Sequence, residues 1–118
     1  MVEITSEALA VQVRGKIGAG RTIKKPHSES VFRISGGGIA YTIGKVGNGK
    51  SFVMLELHQM YKQIQNWGKA DRRWFERAMP RRARHDPCNF TAMGALLEYL
   101  GHATYNHEQR IYQKPAEG

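Results

Sequence analysis

The chain has 118 residues, one cysteine (Cys88), 41% hydrophobic residues and a formal net charge of +8 at pH 7. That length suits one domain, that apolar content is too high for a wholly disordered chain, and a lone cysteine excludes an internal disulfide and fits a reducing compartment. No apolar run approaches the ~20 residues of a membrane span, and the acidic start from Met1 to Glu7 lacks the features of a secretory signal, so the expectation is a cytoplasmic protein with no membrane partner.

Taken from the N-terminus, residues 1–52 read as mainly β. An eight-residue pattern occurs twice, Gly15-Lys16-Ile17-Gly18-Ala19-Gly20-Arg21-Thr22 and Gly44-Lys45-Val46-Gly47-Asn48-Gly49-Lys50-Ser51. Each copy follows a short β-leaning run, Ala10 to Val13 and Ile39 to Ile43, and each is expected to be a glycine-rich hairpin. Asn48-Gly49 favours a type I′ turn, because both residues tolerate positive φ, with strands at about 39–46 and 50–54. Between the copies, 24–29 reads as a loop, Val31 to Ile34 as a strand and Gly36 to Gly38 as a sharp connection.

From Met54 the period changes. Met54, Leu57, Tyr61 and Ile64 fall at i, i+3, i+7 and i+10, an apolar helical stripe that Gly68 ends. Asp71 is placed to N-cap a second helix with Trp74, Phe75 and Ala78 inward, which Pro80 closes; Arg81 to Pro87 then reads as a basic loop. Asn89 is placed to cap a third helix with a seam of Phe90, Met93, Leu97 and Leu100 and with Gly101 at its end. Residues 103–113 predict a short hairpin, and 115–118 a frayed tail. The expected fold is α+β, a single domain: a small antiparallel sheet, then a helical part over 53–114.

The second glycine-rich copy also fits the P-loop pattern, in which backbone amides cradle phosphates, Lys50 reaches the outer phosphates and Ser51 holds magnesium. Gly47, Gly49, Lys50 and Ser51 are therefore candidate phosphate ligands. A nucleotide hydrolase further needs an acidic magnesium ligand on an apolar strand and several strand–helix repeats. Neither follows residue 51, and a hairpin explains both copies. A P-loop-like nucleotide or phosphate binder stays as one alternative.

The charge is concentrated. Lys69 to Arg84 carries seven cations, Lys69, Arg72, Arg73, Arg77, Arg81, Arg82 and Arg84, against Asp71 and Glu76, so 16 residues hold +5 of the net +8. Six of the seven are arginines, whose planar fork pairs bidentately with phosphate. A basic chain is drawn to polyanions by steering and counterion release; the bland alternative is a solvated basic helix face.

The order helix (53–67), helix (71–79), helix (89–100), hairpin (103–113) resembles the winged helix-turn-helix family of DNA-binding domains. The resemblance covers about 60 residues and rests on element order. It implies that the third helix, Asn89 to Leu100, enters the major groove and that the hairpin is the wing, carrying Asn106, His107, Gln109 and Arg110, which adds Asn89, Thr91 and Arg110 to the candidate nucleic-acid contacts. The connection from Pro80 to Cys88 is longer than the family's three or four residues. The outward face of the third helix, Thr91, Ala92, Ala95 and Glu98, lacks the Arg, Asn or Gln that read bases. Phosphate contacts are therefore expected, without base reading.

Other candidates are weaker. His85, Asp86 and Cys88 are neighbours in sequence without an oxyanion site, and the five histidines show no zinc spacing. No catalytic group, metal or cofactor is expected. The sequence reading is a small, basic, non-enzymatic nucleic-acid-binding protein, DNA before RNA, as a transcription regulator or mobile-element accessory factor. The alternative is a homo-oligomeric interaction module, a dimer built through the Ala/Thr face of the third helix and the glycine-rich hairpins, whose basic segment binds an acidic protein.

Overall fold

The computed structural model describes residues 3–43 and 48–116. Sequence and structure agree on an α+β fold: a four-stranded antiparallel sheet, then helices, then a terminal hairpin. The chain opens with a helix, however. α1 spans Ser6–Ile17, capped by Thr5, whose hydroxyl accepts from the Ala8 amide at 3.1 Å. Leu9, Val13 and Ile17 lie one turn apart and are buried. The run from Ala10 to Val13 is thus helical, and Gly15 to Thr22 is a helix end leading into a strand. The expected first hairpin is corrected: the spacing of 9, 13 and 17 buries one helical stripe, which an alternating strand would not do.

The strands β1 (Arg21–Lys24), β2 (Glu29–Ser35), β3 (Gly38–Ile43) and β4 (Asn48–Val53) form a meander in the order β1-β2-β3-β4. The register pairs Phe32 with Tyr41 and Ile39 with Phe52. With side chains alternating across the pleat, this puts Ile23, Phe32, Ile39, Tyr41 and Phe52 on one buried face, where the rings of Phe32 and Tyr41 stack at 5.5 Å. Asn48 and Gly49 are not a turn. They pair with Ile43 and Thr42 inside β4, because burying Tyr41 and Phe52 fixes a register that overrides the local turn preference. Gly44 to Val46, and the candidate ligand Gly47, lie outside the described residues.

The second half follows its apolar periodicity closely. α2 (Met54–Trp67) buries Leu57, Met60, Tyr61 and Ile64. It ends at Gly68, whose φ of 86° is the left-handed conformation that favours glycine. After β5 (Lys69–Ala70), Asp71 caps α3 (Arg72–Ala78) by accepting from the Trp74 amide at 2.8 Å. The expected basic loop is instead a short helix, α4 (Pro80–His85). Pro80 sits at its first position, where a missing N–H costs nothing, so the residue that stops α3 also starts α4.

α5 (Asn89–Tyr99) is the centre of the molecule. Asn89 is its first residue rather than its cap, which is Cys88. The sheet β1–β4 packs on one side of α5, and β6 (Thr104–Asn106) with β7 (Ile111–Gln113) packs on another. These two strands join β5 in a second sheet, in the order β5-β7-β6. Every residue from Ala92 to Leu97 is consequently buried. Ala92 and Ala95, expected on an outward face for a DNA groove or a second subunit, belong to the core. Among the described residues, no helix is long and apolar enough to cross a membrane.

Candidate nucleic-acid interface

The sheet and helices distribute the seven cations over more than one surface. Asp71 starts α3, so Arg72 and Arg73 project from its first turn. There they meet the tip of the β6–β7 hairpin. Asn106 shapes that tip: its side-chain oxygen accepts from the amides of Glu108 and Gln109, both at 3.0 Å. Its carbonyl accepts from the Arg110 amide at 2.7 Å, and Arg110 takes a φ of 59°. The result is a cavity of about 470 Å³ whose lining includes Arg72, Arg73, Phe90, Thr91, Gln109 and Arg110. Its one carboxylate, Asp71, is already engaged as the α3 cap. Arg72 is held in place: its guanidinium donates to the Pro87 carbonyl at 3.0 Å and lies 5.1 Å over the Phe90 ring. Arg73 is exposed. Four of the residues expected to contact nucleic acid, Arg72, Arg73, Thr91 and Arg110, are thus gathered here.

Arg81 and Arg82 border a second cleft, of about 530 Å³, between α2 and α4. Its charge is balanced. Arg82 Nε donates to Glu56 at 2.9 Å and its Nη1 to Asp86 at 3.1 Å, while Lys50 Nζ donates to Asp86 at 2.8 Å. Glu56 also accepts from the Val53 amide at the start of α2. Arg82 and Lys50 are therefore ion-paired internally. Lys69, Arg77, Arg81 and Arg84 are exposed and have no ion pair among the described residues.

This network carries a pH signature. The Lys50 ammonium, hydrogen-bonded to Asp86, and then Arg82 hold the Asp86 carboxyl below its ordinary value near 3.8, against a smaller opposing effect of burial. A carboxyl depressed in the folded state stabilises fully above that ordinary value, and the contribution is lost as pH falls through the lower folded value. Asp86→Asn is expected to lose less stability than the parent on acidification from about pH 5 to about pH 2, measured by thermal midpoints.

Gly49, Lys50 and Ser51 lie within the antiparallel strand β4, three residues and more before α2 begins. The backbone amides there belong to a ladder rather than to a loop at a helix start, and Lys50 is paired with Asp86. Asn89 is fully buried. Its side-chain amide donates to the Ser51 carbonyl at 3.1 Å, and its oxygen accepts from the Tyr41 hydroxyl. Asn89 is therefore a link between α5 and the sheet and presents no surface to a ligand. Thr91 Oγ1 donates to the Cys88 carbonyl at 3.1 Å. Among the described residues, no three His, Cys, Asp or Glu side chains could share a metal ion.

The sequence reading missed His27 and Tyr105, which line the α3–hairpin cavity beside Gln109, a residue expected on the wing. His27 arrives from the β1–β2 connection, and no local pattern announces that. Compared with known protein families, curated proteins and solved structures, the chain finds no match.

Proposed function

We propose that this chain is a small non-enzymatic nucleic-acid-binding module, with DNA favoured over RNA, that grips the phosphate backbone at the cavity between α3, the start of α5 and the β6–β7 hairpin. One observation carries this reading. Arg110 of the hairpin joins Arg72 and Arg73, adjacent on α3 but distant from it in sequence, on one concave surface whose lining carboxylate, Asp71, caps α3. Arginine forks suit phosphate groups because each can donate two parallel hydrogen bonds. DNA is favoured on the sequence's resemblance to winged helix-turn-helix domains, an order into which α4 is inserted between α3 and α5. α5 is covered by two sheets, so the reading assigns it no groove-reading role and rests on backbone contacts.

The experiment is a titration of labelled duplex and single-stranded DNA over a range of salt. Binding is expected at low salt, with log affinity falling linearly against log salt. Arg73→Ala combined with Arg110→Ala is expected to weaken binding evenly across sequences. It also lowers the duplex salt slope by about 2, since each phosphate contact contributes about 0.9. Absence of binding to either form at low salt overturns the reading.

A further inference from the structure

On the outer face of α2, Gln59, Lys62, Gln63 and Asn66 fall at i, i+3, i+4 and i+7, and Trp67 closes the row. Trp74 and Ala78 of α3 face them across a shallow groove of about 300 Å³. Trp67 is 75% exposed, more than any other large apolar side chain among the described residues. An indole this exposed adds little to the core, and Trp74 beside it is half-buried. The groove holds no carboxylate, and Lys62 is its one charged group. Gln63 donates to the Lys69 carbonyl at 3.1 Å; Gln59 and Asn66 have no side-chain hydrogen bond among the described residues.

Helical phase links this groove to the arginine cavity. At 3.6 residues per turn, Arg73 and Arg77 fall on the exposed face of α3 between Arg72 on one flank and Trp74 with Ala78 on the other. The same helix therefore offers a ridge of Arg73 and Arg77, with Glu76 on its Arg72 side, between the arginine cavity and an aromatic groove.

We propose that the groove takes an unpaired nucleobase stacked on the Trp67 indole, its neighbouring phosphates lying over Arg73 and Arg77. This deepens the nucleic-acid reading, on which it rests, by naming DNA with unpaired bases as the target. A flat π-face, the side-chain amides of Gln59 and Asn66, and a lining whose one charged group is the Lys62 ammonium match a nucleotide. An acidic or purely apolar partner would leave the amides or the indole unused.

The test uses the full chain, an oligothymidylate and a blunt duplex of equal length, followed by tryptophan fluorescence and by anisotropy of labelled DNA. The single strand is expected to quench tryptophan emission and to bind more tightly than the duplex. Trp67→Ala is expected to weaken single-strand binding about tenfold while leaving duplex affinity and the thermal midpoint unchanged. Trp67→Phe is expected to restore most of the loss, because a ring still stacks. If Trp67→Ala leaves single-strand affinity unchanged while both DNA forms still bind, the groove assignment is overturned and the phosphate-binding reading stands. A change confined to the sedimenting mass, with single-strand affinity unaltered, likewise overturns it and assigns Trp67 to contact with a second copy. If neither form binds the parent chain at low salt, the underlying reading fails first.

Discussion

Gly94→Ala is expected to lower the thermal midpoint by on the order of 10 °C, although alanine is the better helix former. Two effects oppose each other at this position in α5. Helix propensity favours alanine over glycine by about 1 kcal/mol. Against that, a Cβ at residue 94 would lie 2.2 Å from the Tyr112 ring, far inside van der Waals contact. Tyr112 cannot retreat. It is fully buried, packs edge-on against Phe90 at 5.6 Å, and its hydroxyl donates to the Thr91 carbonyl at 3.2 Å. Overpacking of a tight core costs about 1–3 kcal/mol, sometimes more, and a clash with an anchored ring belongs at the upper end. The net loss of about 2 kcal/mol gives the stated midpoint shift for a domain of this size. Calorimetry of Gly94→Ala checks it, and a variant that also carries Tyr112→Leu is expected to recover part of the loss by removing the ring. A midpoint at or above the parent's would mean that β7 moves away from α5 freely.

Asn89→Asp is expected to be more damaging at neutral pH, by on the order of 3–5 kcal/mol, and to improve on acidification. The change is one atom in size, so packing is unaltered and charge decides the result. The side-chain nitrogen of Asn89 now donates to the Ser51 carbonyl; a carboxylate oxygen there would face that carbonyl with no proton between them. The Tyr41 hydroxyl would still donate to the other oxygen, but the position is fully buried. Burial raises the folded-state pKa of such a carboxyl above its unfolded value. The penalty is therefore absent below the unfolded pKa and grows as pH rises toward the folded one. A protonated carboxyl donates to Ser51 in place of the amide. Thermal midpoints of the variant are expected to rise from neutral toward mildly acidic pH. A flat profile would show that water reaches residue 89.

Much of the fold is legible in the sequence because local rules and tertiary packing coincide there. The stripe Leu57, Tyr61 and Ile64 defines α2, Gly68 stops it, and Asp71 caps α3 as its position predicts. Where one residue type serves two purposes, the sequence misleads. Pro80 breaks one helix and begins the next, and Asn48-Gly49 has turn character yet sits in a strand whose register is set by Tyr41 and Phe52. α5 is only half legible. Phe90, Met93 and Leu97 mark one buried seam, but Ala92 and Ala95 are buried as well, because a second layer covers the helix and small residues do not advertise it. The candidate interface divides in the same way. The arginine cluster is visible as charge density, whereas the partners that neutralise Arg82 come from α2 (Glu56) and from the residue that ends α4 (Asp86). The meeting of Arg72 with Arg110 depends on the path of the hairpin.

The encasement of α5 has a consequence for how the chain can be divided. A fragment beginning at Met54 would keep the helix but leave the side that β1 and β4 cover open to water, and a fragment ending at Val53 would lack the surface against which its meander closes. Neither piece holds a complete interior. Amide protons in the buried stretch from Ala92 to Leu97 are therefore expected to be among the slowest in the chain to exchange, near the limit set by global opening, while the exposed end at Glu98 and Tyr99 frays locally.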